Sequence, residues 1–151
     1  MTTESESKSV ETSFKLWIAG IVVGLIGALV SLMFMDTLVD NALREDGLTA
    51  EDRDLVQGAL IGGLFLGSML LALWFWFVSK MRKGKNWARI TLAVLAVLGL
   101  VIRLGDLGTY FSGGDFGIMM GLLQLISWCL TIPAVVFMFL PDANEFFARQ
   151  K

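Results

Sequence analysis

ALIGGLFLGSMLLALWFWFV, residues 59–78, followed at once by SKMRKGKNWAR, residues 79–89, decides the fold. Twenty residues without a charge match the ~20 that an α-helix needs to cross a ~30 Å hydrocarbon layer. The block behind them places five of the chain's twelve Lys and Arg residues in ten positions, Lys80 to Arg89. An uninterrupted apolar run stopped by a dense basic turn is how a membrane-crossing helix and its cytoplasmic flank read.

Three further runs lie around this one: Leu16–Met35, Ile90–Ile102 with an extension to Leu107, and Gly117–Leu140. The 151 residues are 56% hydrophobic and 17% charged, with a mean hydropathy of +0.71. That is too apolar for an ordinary soluble domain. The expected fold is all-α, a four-helix transmembrane bundle with helices at about 15–44, 50–80, 87–108 and 117–140. Residues 1–14, rich in Ser, Thr and Glu, are expected to form a disordered tail. Residues 142–151 are expected to be a short interfacial tail on which Phe146 and Phe147 rest at the membrane surface. The first run, about 20 residues long, exceeds a signal-peptide core and lacks a small-x-small cleavage site, so it reads as an uncleaved anchor.

The formal net charge of −2 hides a sharp asymmetry between loops. The segment Asp36–Gln57 carries seven acidic residues against Arg44 and Arg53, and Gly108–Phe116 carries only Asp115. Counting Lys and Arg alone, the 80–89 turn belongs in the cytoplasm and both other loops outside, which puts both termini in the cytoplasm. Trp17, Trp74, Trp76 and Trp87 then fall at cytoplasmic helix ends, where indole rings favour the headgroup layer, with Trp128 alone at mid-span. Within the acidic loop, Thr49 precedes acidic residues as an N-cap does, and Asp46-Gly47 reads as a break. The first two helices should thus project as a hairpin beyond the bilayer, either as a solvated connector or as an acidic docking knob.

Small residues recur at spacings that let membrane helices approach closely: Gly20, Gly24 and Gly27 on the first helix, Gly63 and Gly67 on the second, Ala96 and Gly99 on the third, and Gly117 and Gly121 on the fourth. The third helix also aligns Arg89, Leu92, Ala96, Gly99, Arg103 and Asp106 on one face. Arg103 lies about 21 Å from Arg89 along the axis, at hydrocarbon depth, where an Arg costs up to roughly 3 kcal/mol. Asp106 at i+3 offsets that cost, and Gln124 at similar depth offers an acceptor. This polar intramembrane group reads either as a clamp between helices three and four or as a site for an anion, a quinone headgroup or a partner's carboxylate.

The chain has no His and a single Cys, Cys129, so His-based haem, zinc or Cys–His chemistry is excluded. No nucleophile-elbow, zincin, P-loop or paired-carboxylate pattern is present at membrane depth. The expectation is a non-enzyme without cofactor or bound metal, set in the lipid bilayer. The basic turn serves topology and anionic lipid rather than nucleic acid.

Arg82–Ile90, running into an Ala/Val/Leu-rich helix, resembles a turn of small four-helix integral membrane proteins of actinobacteria. Pro141–Phe147, closing the last helix, resembles the ending of the same group. The likeness implies a bacterial plasma membrane and no activity. The expected function is an accessory or scaffold subunit of a larger membrane complex, in contact with a membrane-protein partner or a second copy. The alternative is a small oligomeric transporter or channel with its polar site at Arg103, Asp106 and Gln124.

Overall fold

The computed structural model describes residues 7–105, 108 and 114–149. Among them the chain is helical throughout: α1 (Lys8–Met33), α2 (Met35–Glu45), a short 3-10 turn (Ala50–Asp52), α3 (Arg53–Arg82), α4 (Asn86–Leu104), α5 (Gly114–Met138) and α6 (Pro141–Arg149). Four of these helices are long and apolar enough to cross a membrane: α1, α3 with its leading 3-10 turn, α4 and α5. Their surfaces suit lipid. Leu29, Phe65, Leu66, Leu70, Val101 and Ile102 all stand exposed, a load of apolar surface that water would not tolerate on a lone chain.

α1 is the centre of the bundle, packing most extensively on α5 and next on α3, while α4 leans on α3 and touches α5 less. The connections follow from local chemistry. Gly47 (φ +65°) and Gly84 (φ +76°) adopt the left-handed conformation that the two turns need and that other residues resist. Thr49 and Asp52 form a reciprocal capping box that starts the α3 segment, as the N-cap reading of Thr49 anticipates. Arg53 then bonds to Asp40 at 2.6 Å and Asp36 at 2.9 Å, tying α3 to α2 and giving the acidic hairpin a structural use.

The bundle is dense at one end and hollow at the other. At the end where α1 begins and α5 finishes, Val10, Trp17, Val78, Met81, Ala88, Leu92, Ala134, Met138, Ala143 and Phe147 form one buried core. Towards the hairpin end, α3 has no buried residue between Arg53 and Phe77. The small-residue stripes explain this difference badly. A Cβ added at Gly20, Gly27, Gly63, Gly67 or Gly99 would meet nothing within 4 Å, so these glycines do not seat a neighbouring helix within this chain. Gly24 alone of that set faces a close neighbour, with Leu71 at 3.1 Å from such a Cβ. Gly117, Gly121 and Ala96 are buried, as packing residues should be. Glycine spacing marks where helices can approach, but the helices of the hollow half splay apart. Gly27→Ala, Gly63→Ala and Gly67→Ala should therefore leave the melting temperature in detergent unchanged or raise it, since Ala exceeds Gly in helix propensity by about 1 kcal/mol. A fall of several degrees would restore the close-packing role.

Two tails depart from expectation. Residues 7–14 are ordered: α1 starts at Lys8, capped by the Ser7 hydroxyl accepting from the Val10 N–H, so any disordered tail is confined to residues before Ser7, outside the described residues. Residues 141–149 form α6, and Phe147 is buried in the core instead of lying at a surface. The two segments hold each other. Asp142 accepts from the Ser7 hydroxyl at 2.8 Å, the Ser9 hydroxyl at 2.7 Å and the Ser9 N–H at 3.2 Å. One turn further on, buried Ser13 donates to the Ala134 carbonyl at 2.8 Å near the end of α5.

Candidate functional site

The polar group anticipated on the third apolar run is partly assembled. Arg103, on the last turn of α4, donates through Nη1 to Oε1 of Gln124 on α5 at 2.6 Å. Gln124 is buried, whereas Arg103 stays open to its surroundings on one side. The face that carries Arg103 is the packed one: Arg89, Leu92 and Ala96 are buried at the dense end, and Gly99 and Arg103 continue it into the hollow half. Asp106 lies outside the described residues.

Around the Arg103–Gln124 bond the interior is empty on both sides. One cavity, of about 280 Å³, is walled by all four long helices, with Trp17, Trp74, Trp128 and Thr131 towards the dense end and Arg103 and Gln124 towards the other. A second, of about 380 Å³, runs between α1, α3 and α5 past Gly27, Gly63, Gly67 and Ser68 to the same Arg103 and Gln124. The unfilled glycines line these spaces. Their missing side chains make the cavities roomy, which is a different use of small residues from close packing.

Trp17 is the residue that sequence reasoning misplaced. It is 4% exposed and sits in the core, its ring 5.5 Å from that of Trp74, so it is no headgroup anchor. Its Nε1 is buried without a hydrogen-bond acceptor among the described residues. Buried indole N–H groups usually find a partner. Trp76 and Trp87 face outward, their rings 5.7 Å apart and tilted by 53°, with Lys80 over the Trp76 ring. A signal for Trp17 was available: Val10, Phe14 and Trp17 follow the i, i+4, i+7 spacing of a buried helical stripe, and Val10 and Trp17 are buried.

Arg89, at the dense end, is buried. Its guanidinium lies 4.2 Å from the Phe139 ring centre and 4.8 Å from that of Phe147, and Nη2 donates to Asn144 Oδ1. Asn144 in turn donates to the Phe139 carbonyl at 3.0 Å. Every one of these contacts is to α6 or the bend before it, so Arg89 locks α6 under α4. This is structural work: the guanidinium is sandwiched between aromatic faces and faces neither cavity.

Among the described residues no group of three or more metal-binding side chains occurs, no carboxylate lines either cavity, and no base stands beside the Ser127 and Thr131 hydroxyls. The arrangement is suited to binding by hydrogen bonds, charge and aromatic faces. No protein-family model, curated protein or solved structure matches this chain.

Proposed function

We propose that the chain is a small, non-enzymatic integral membrane protein that serves as an accessory or scaffold subunit of a larger membrane complex. Four apolar helices fit a bilayer, and the basic 80–89 turn argues for an orientation with that turn and both termini on the cytoplasmic side; the likeness of Arg82–Ile90 and Pro141–Phe147 to small actinobacterial membrane proteins suggests a bacterial plasma membrane. The observation that carries the subunit reading is the unfilled half of α3. From Arg53 to Phe77 nothing on it is buried, and Gly58 and Gly62, which line neither cavity, have open space where a side chain would stand. In lipid, helices associate through backbone approach at small residues and not through hydrophobic drive. Such a face, unused within the chain, suits a helix from another protein.

The test is purification of a C-terminally tagged copy from native membranes in mild detergent, followed by native mass determination. A second protein in fixed ratio is the expected result, and a monodisperse monomer overturns the reading. A homo-oligomer favours instead a small transporter or channel, which the Arg103–Gln124 pair between two cavities also supports. Reconstituted flux that falls with Arg103→Gln would then establish it.

A further inference from the structure

The 280 Å³ cavity joins features that the subunit reading leaves without a use. Several of its polar groups can donate hydrogen bonds. Arg103 brings a guanidinium; Gln124, its carbonyl oxygen engaged by Arg103, offers amide hydrogens; Thr131 adds a hydroxyl. Among the described residues no carboxylate lines the wall, so no negative charge on it competes for the guanidinium.

The remaining surface sets the shape of the occupant. Trp17, Trp74 and Trp128 present three indoles to one space, a wall that suits a flat ring better than a flexible chain. Trp17 to Gly24 on α1 and Gln124 to Thr131 on α5 each span about 10 Å at 1.5 Å per residue, which is the cavity's height. The volume is just below the ~300–1,000 Å³ typical of ligand pockets, enough for one or two rings. The exposed side of Arg103 leaves the cationic end open to the surroundings, so an anionic head can be met there.

We propose that this cavity binds a small aromatic carboxylate, its acid group on Arg103 and Gln124 and its ring among the three tryptophans. A weak acid of this kind enters lipid in its neutral form and ionises against the guanidinium. The proposal concerns the chain by itself and stands or falls independently of any partner.

The test uses the full chain in nanodiscs of neutral phosphatidylcholine, with 2-naphthoate as the probe and binding read by equilibrium dialysis against empty discs. Saturable binding of one probe per chain is expected. Methyl 2-naphthoate, which lacks the charge, and decanoate, which lacks the ring, should each bind at least tenfold more weakly. Arg103→Gln should weaken 2-naphthoate at least tenfold. Gly99→Leu fills the cavity from a position with free space around its Cβ, so it should fold with unchanged helicity and abolish saturable binding. Uptake no greater than by empty discs overturns the proposal. Equal binding of the ester removes the role of Arg103, equal binding of decanoate removes that of the tryptophans, and undiminished binding by folded Gly99→Leu places the probe elsewhere; each of these also overturns it. Should Arg103→Gln fail to fold, Gly99→Leu decides alone.

Discussion

Trp17→Ala is expected to be the most damaging single substitution in the dense end of the bundle. It removes a 4%-exposed side chain from the core, breaks the 5.5 Å contact with Trp74, and merges the space left behind with the adjoining 280 Å³ cavity. Truncating a buried aromatic to Ala costs about 3–5 kcal/mol, because lost contacts and the residual cavity add. For a chain of this size that is a fall in melting temperature on the order of 10 °C. Thermal unfolding followed by circular dichroism in one detergent measures it. Trp87, which is 47% exposed, is the control: Trp87→Ala should shift the melt far less. If the two variants melt alike, the dense end is not the stability core described here. Trp17→Phe should lie between them, since it keeps a ring on Trp74 and deletes the unsatisfied N–H.

The second large effect is release of the N-terminal segment in acid. The hydroxyl and N–H of Ser9 and the hydroxyl of Ser7 hold the Asp142 carboxyl below the usual carboxylate range, because they stabilise its charged form. A group whose pKa is lower folded than unfolded contributes stability that is complete above its unfolded value. That contribution is lost as pH falls through the folded value. The clamp should therefore hold at neutral pH and through the ordinary carboxylate range, and open only below it. Amide hydrogen-exchange protection over residues 7–14, taken relative to the intrinsic rate at each pH, should be high at neutral pH and fall in acid. Asp142→Ala should exchange fast in that segment at every pH, because no acceptor remains for the three donors. Protection in the variant equal to that of the parent chain would mean that Val10 and Phe147, both buried in the core nearby, hold the segments without the clamp.

Arg89 and Arg103 show why one helix face yields two different outcomes. Both sit on the stripe legible from three- and four-residue spacing, and both leave the α4 backbone in the same general direction. Arg89 meets Phe139, Phe147 and Asn144 because α6 folds back beneath it, and it becomes a lock. Arg103 meets Gln124 beside empty space because α1 and α3 spread away from it. Spacing places a residue on a face, and what the face meets depends on helices elsewhere in the chain. The same limit applies to the glycines, whose spacing is identical whether a neighbour fills the groove or leaves it open.

The sequence by itself determined four apolar helices, their order, the turns at Gly47 and Gly84, the cap at Thr49 and the end of the last long helix before Pro141. These are local properties, set by run length, backbone conformation and hydrogen bonds between residues a few positions apart. The tertiary structure alone decided that the bundle closes at one end and stays hollow at the other, and that residues 7–14 are ordered. The bonds responsible join Ser7 to Asp142 across 135 positions and Ser13 to Ala134 across 121. Contacts at such separations depend on how far each helix rotates and tilts against the others. Apolar composition that is nearly uniform around a helix carries little record of that rotation.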